Sequence, residues 1–209
     1  KEDGSVVTWG DEDYGGDSSS LEVELESGVQ QIFSNPYSYA ALKDDGSVVT
    51  WGDEDYGGDS SGVDLASDVT NIVASNGAFL ALKSDGSAVV WGDSDYGGET
   101  ILDLSSGVTG IYASDGAFAV IKDDLHFVGN TGSVQHWGGS DYGGLNDNGG
   151  GWYENGDLDG HMGITGSGVE EIFSTEKAFA ALKDDGSVVT WGQAYYGGDN
   201  NVGLTDELD

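Results

Sequence analysis

The sequence predicts an all-β protein, a β-propeller assembled from repeats about 40 residues long. Three observations carry that expectation. The ten residues from Lys43 to Gly52 return identically from Lys183 to Gly192, with near copies at 1–10 and 83–92. The repeat tryptophans fall at 9, 51, 91, 137 and 191, and each Trp-Gly is followed by Tyr-Gly-Gly at Tyr14, Tyr56, Tyr96, Tyr142 and Tyr196. Helical periodicity is missing, while the 37 glycines punctuate short apolar runs.

One repeat reads as three strands. The first is a Val-x-x-Ile unit: Val29/Ile32, Val69/Ile72, Val108/Ile111 and Val169/Ile172. The second is the apolar run before the repeat lysine, such as Phe79 to Leu82 and Phe179 to Leu182. The third runs from Ser47 to Trp51 and its copies; Val, Thr, Phe and Trp suit a pleated, packed strand. Asp-Gly between the second and third strands signals a tight hairpin with a primed turn. Val48 and Val49 are adjacent and point to opposite faces, so both faces of the sheet must be covered. The polar stretch after Tyr-Gly-Gly, such as Ser18 to Leu25, is expected as an outer strand or a connector.

Composition narrows the function. With 39 acidic and 6 basic residues, all of the latter Lys, the formal charge is −33, which repels nucleic acid and anionic membrane surfaces. There is no Cys, hence no disulfide, thiolate metal site or cysteine nucleophile. No apolar run approaches the roughly 20 residues that span a bilayer. The 22 aromatic residues (6 Trp, 10 Tyr, 6 Phe) are too many for a solvated polyanion. Self-repulsion at this charge is relieved by salt, which points to a saline setting outside a cell or on a cell or virion surface.

The signature Ala-Leu-Lys-x-Asp-Gly-Ser-Val-x-x-Trp-Gly-x-x-x-Tyr-Gly resembles the repeat of the regulator of chromosome condensation (RCC1-like) family, five times over. It is most similar to the short bacterial type, which includes a secreted β-lactamase inhibitor protein built as a seven-bladed propeller. The family's usual Gly-Gln-Leu-Gly after the Tyr is here Gly-Gly-Asp or Gly-Gly-Glu. The resemblance implies a propeller; the family's functions range from nucleotide exchange to enzyme inhibition, so it does not imply one activity.

Residues 1–209 are expected as one propeller or propeller fragment. The five Trp-Gly strands outnumber the four Val-x-x-Ile strands, giving four full blades plus partial blades at the ends. A piece of a longer repeat protein, such as a fragment of seven blades, is the preferred reading; the alternative is five blades closing through one composite blade.

The repeats differ at two insertions, near 124–130 and 145–162. Insertions in repeat folds map to loops, often on the binding face. Trp152 and Tyr153 lie off the repeat in the second, and with His161 they are the candidate ligand-binding residues for a protein or glycan partner. Alternate carboxylates on Gly-bearing turns are the oxygen-rich pattern that suits Ca²⁺. They occur as Asp11, Asp13 and Asp17; Asp53, Asp55 and Asp59; and Asp93, Asp95 and Glu99, with a shorter echo at Asp157 and Asp159. The competing reading is an acidic rim that keeps the chain soluble in salt. No other cofactor is expected.

No catalytic residues are expected. His126, His136 and His161 match no metal-site spacing, and the lysines at 1, 43, 83, 122 and 183 read as partners of nearby carboxylates. The expected role is a non-catalytic binding or adhesion module. The alternatives are a structural repeat of a surface layer, filament or viral fibre, self-associating with further copies, and an inhibitor of a secreted enzyme.

Overall fold

The computed structural model describes residues 1–123, 132–144 and 168–198. Among them are four three-stranded antiparallel sheets in simple sequential order. The first is β1 (Val29–Ser34), β2 (Ser38–Lys43) and β3 (Val48–Gly52). The second is β4 (Val69–Ala74), β5 (Ala78–Lys83) and β6 (Ala88–Gly92). β7 (Val108–Ala113), β8 (Ala117–Lys122) and β9 (Ser133–Gly138) form the third. β10 (Val169–Ser174), β11 (Ala178–Lys183) and β12 (Val188–Gly192) form the fourth. These are four blades of a propeller fold. The 124–130 and 145–162 insertions, with Trp152, Tyr153, Asp157, Asp159 and His161, lie outside the described residues.

The blades pack face to face, with a separate apolar core between each successive pair. Between the first and second blades, Ala40 and Leu42 meet Leu65, Val69, Ile72, Phe79, Ala81 and Trp91. The same positions recur between the second and third blades and between the third and fourth. Val48 packs on the second blade's side and Val49 on the opposite side with Val6 and Leu25, so the adjacent valines do serve two cores. On the second strand an aromatic residue faces the repeat Trp across the ladder, as in Tyr39–Trp51 and Phe179–Trp191, both with ring centroids 5.2 Å apart.

Successive blades are also tied through their backbones. Val69 N–H donates to the Gly46 carbonyl of the preceding hairpin, and Val108 does the same to Gly86. The stretch after Tyr-Gly-Gly is a connector, not a strand. It forms a 3-10 turn at Ser19–Leu21 in its first copy, and in the second copy it touches the ladder through one backbone bond, Val48 N–H to the Leu65 carbonyl.

Two local expectations are corrected. The hairpin is not a two-residue primed turn. Lys43 N–H bonds the Ser47 carbonyl around a three-residue loop in which Gly46, at φ 79°, takes the left-handed conformation. A primed turn would impose positive φ on Asp45 as well. Its carboxylate instead accepts from the Ser47 amide at 2.9 Å and hydroxyl at 2.6 Å. The second correction concerns Ser5–Trp9, expected as a strand. It belongs to none of the sheets, and Trp9 is 83% exposed. Blade-forming neighbours, which hold its copies in place, are not beside it among the described residues.

The pair Gly57-Gly58 explains why each repeat carries Tyr-Gly-Gly. Gly57 ends the 3-10 turn Glu54–Tyr56 at φ 97°, beneath the Phe79 ring. Gly58 returns over the strand end, where a Cβ would stand 2.3 Å from the Gly52 carbonyl oxygen. Neither position admits a side chain without displacing backbone or a core ring.

Candidate binding face: a row of tyrosines among acidic turns

After each Trp-Gly the chain makes one 3-10 turn that ends on the repeat tyrosine. A hydroxyl near the start of the same blade's second strand fixes the tyrosine's own carbonyl. Ser38 Oγ donates to the Tyr56 carbonyl at 2.7 Å, Ser75 Oγ to Tyr96 at 2.8 Å and Ser114 Oγ to Tyr142 at 2.7 Å. Thr175 Oγ1 does so to Tyr196 at 3.1 Å. Ser38, Ser75 and Ser114 are themselves buried, so the donor of each bond is withdrawn from water. A small hydroxyl residue just before or at the start of the second strand was the available sequence signal, and it was missed.

The rings align across the blades. Tyr14 and Tyr37 have centroids 5.8 Å apart, Tyr37 and Tyr56 4.3 Å, Tyr56 and Tyr96 6.4 Å, and Tyr96 and Tyr142 6.3 Å. One repeat position tunes the row. It is Gly in the second and third blades, where Gly77 and Gly116 let Tyr96 and Tyr142 lie directly on the backbone. In the first blade it is Tyr37, which stacks on Tyr56. In the fourth it is Lys177, whose Nζ lies 5.0 Å from the Tyr142 ring centre and 5.4 Å from that of Tyr196. The row thus receives a cation of its own chain between two rings.

The electrostatics of the row suit a cation. Partial burial raises the Tyr56 phenol above its ordinary value, with Asp93, Asp53 and Asp55 adding to the effect. Tyr96 is raised in the same direction, again chiefly by burial. The Tyr56 and Tyr96 phenols therefore stay protonated and neutral, and the surrounding charge is carboxylate.

The acidic turns take a specific geometry. Asp11, Asp53 and Asp93 cap their own turns, accepting from the amides of Asp13, Asp55 and Asp95 at 3.1, 3.0 and 2.8 Å. Asp17 and Asp59 accept from the amides of Ser19 and Ser61, both at 2.8 Å, which lowers their pKa. Asp13, Asp55, Asp95 and Glu99 are exposed. Among the described residues, no group of three or more His, Cys, Asp or Glu is placed to hold a metal ion. Gly139 and Gln193 stand where the fourth and fifth turns lose the cap.

The remaining polar candidates have structural positions. His136 is buried on β9, with Nδ1 2.9 Å from the Gly143 carbonyl. His126 and His161 lie outside the described residues. The lysines were expected to pair with carboxylates. Lys83 does so with Asp64 at 3.2 Å, but Lys43 and Lys122 donate instead to the connector carbonyls of Glu24 and Asp103. A connector carbonyl left unpaired by the ladder is a nearby acceptor, and it competes with the carboxylates for the ammonium.

The chain matches no family model and no curated protein sequence. Solved structures do resemble it. Yeast RCC1 (Prp20), in its complex with Kap60, is 18% identical with a TM-score of 0.54, over 83% of this chain and 45% of that one. Prp20p from Saccharomyces cerevisiae on its own is 14% identical with a TM-score of 0.50, over 88% of this chain and 52% of that one. The ectodomain of the Physcomitrella patens receptor kinase CR4 is 16% identical with a TM-score of 0.50, over 79% of this chain and 39% of that one. The chain thus spans about half of these proteins or less. The fold is a β-propeller similar to that of RCC1. The narrower likeness to the short bacterial inhibitor type rests on the sequence signature alone.

Proposed function

We propose that the chain is a non-catalytic binding module whose tyrosine row, set among acidic turns, receives a Lys- or Arg-rich segment of a protein partner. The observation that carries this reading is Lys177, whose ammonium lies within 5.4 Å of both the Tyr142 and Tyr196 ring centres. A basic side chain from outside would find similar rings along Tyr14, Tyr37, Tyr56 and Tyr96, with exposed carboxylates at Asp13, Asp55 and Asp95 beside them. The fold neighbours support binding in the coarse sense: RCC1 is seen bound to Kap60, and Prp20p has described binding properties to Gsp1p and histones. The CR4 ectodomain supports an extracellular or surface setting in the same coarse sense. The insertion bearing Trp152, Tyr153 and His161 would give the partner a landmark on an otherwise repetitive surface.

The test is titration with a lysine-rich peptide in physiological salt, followed by calorimetry. Tyr56→Leu with Tyr96→Leu leaves the net charge unchanged and should weaken binding about tenfold. Equal affinity for variant and parent would mean that net charge alone attracts the peptide, and the reading would fail. Binding of neutral oligosaccharides in its place would establish a glycan face.

A further inference from the structure

We infer that the partner segment lies extended along the tyrosine row, with a Lys or Arg at every second residue. The inference rests on the basic-segment reading and adds to it the partner's conformation and spacing.

The spacing is set by the blades. The ring centres of Tyr56 and Tyr96 are 6.4 Å apart, and those of Tyr96 and Tyr142 are 6.3 Å apart. The repeat position that tunes the row adds no side chain along these two steps, because it is Gly77 in the second blade and Gly116 in the third. Both ends of the stretch are bounded. Tyr37 stacks on Tyr56, and Lys177 fills the next step, against Tyr142 and Tyr196. Each of the three rings also follows directly in the chain on an exposed carboxylate: Asp55, Asp95 or Asp141. The partner therefore meets a nearly even array of rings and negative charges.

An extended chain rises about 3.2–3.4 Å per residue, so the side chains on one of its faces recur every ~6.4–6.8 Å. That is one ring step, and the match holds over both steps. Other conformations fit poorly. An α-helix advances ~5.4 Å per turn, so its facing side chains fall roughly 2 Å short over two steps. A polyproline II helix turns the same face round only every third residue, about 9.3 Å, and overshoots a single step. In an extended segment the intervening residues point away from the acidic face and carry no charge requirement. Spacing, and not the number of charges alone, then sets the affinity.

The experiment is calorimetry of the chain in about 0.1 M NaCl, where the Debye length is ~10 Å. Three capped nine-residue peptides are compared, each of three Lys and six Ser. One has Lys at every second position, one has the three Lys adjacent, and one has Lys at every fourth position. The alternating peptide should bind about fivefold tighter than either isomer, the worth of one or two cation–ring contacts. Tyr56→Leu with Tyr96→Leu should abolish that preference, with circular dichroism checking the fold. Equal affinity for the three isomers, each weakened by the double substitution, would overturn the extended spacing and leave the basic-segment reading standing. Tightest binding by the adjacent or the wide-spaced isomer would do the same. Affinities that the double substitution leaves untouched, or no binding of any isomer, would remove the basic-segment reading itself and this inference with it.

Discussion

His136 and Trp191 compete for one acceptor. The imidazole of His136 lies 5.6 Å from the Trp191 rings, and its Nδ1–H holds the Gly143 carbonyl at 2.9 Å. That carbonyl stands where Gly15, Gly57 and Gly97 accept an indole proton in the other contacts. Trp191 Nε1 is buried and has no hydrogen-bond partner among the described residues. Since a carbonyl can only accept, the proton of the neutral imidazole sits on Nδ1.

A pH prediction follows from this pair. Burial lowers the pKa of His136 below its ordinary 6.5, outweighing the opposing bond to Gly143. The unfolded chain therefore takes up this proton first as pH falls. Stability should drop as pH decreases from about 6.5 toward the folded-state pKa, then level off. His136→Thr, the residue found at Thr50 and Thr190, should abolish that slope. It should also stabilise the fold by about 1 kcal/mol by freeing Gly143 for the indole. Urea unfolding of both proteins across that range checks the sign and the size.

The second glycine after the tyrosine should be intolerant. Gly58→Ala places a Cβ against the Gly52 carbonyl and should destabilise by about 2 kcal/mol. Gly62 is exposed, and a Cβ there would meet no atom within 4 Å, so it should accept Ala within about 0.5 kcal/mol. Paired thermal melts compare the two.

Salt should stabilise the fold. With a charge of −33, melting temperature should rise with NaCl and then plateau as the Debye length falls to a few ångström. Asp11, Asp53 and Asp93 cap their own turns without converging on one point, so Mg²⁺ and Ca²⁺ at equal concentration should act alike. A much larger Ca²⁺ response in calorimetry would restore the calcium reading of the acidic turns.

Trp152 and Tyr153 offer a test of the landmark role. Replacing both by Ala should weaken a bound partner by roughly 2 kcal/mol while leaving the melting temperature unchanged. Loss of thermal stability with unchanged affinity would assign the pair to packing.

Much of the fold is legible in the chain because its signals are local. Strand residues alternate between faces, Val48 beside Val49 demands two cores, and Tyr-Gly-Gly marks a turn that excludes side chains. These depend on sterics within a few residues of chain, and the repeat states them several times. The acidic turns were equally visible as a pattern, but not their use as self-caps, which depends on where each carboxylate points.

What the sequence determined by itself is the repeat unit, its three strands and its need for neighbours on both faces. Only the tertiary structure decided which groups meet across blades: the alignment of Tyr37, Tyr56, Tyr96 and Tyr142, the lodging of Lys177 on two rings, and the displacement of Trp191 by His136. The reason is physical. These contacts join residues tens of positions apart, and their geometry is set by how one sheet stacks on the next, which no local pattern encodes.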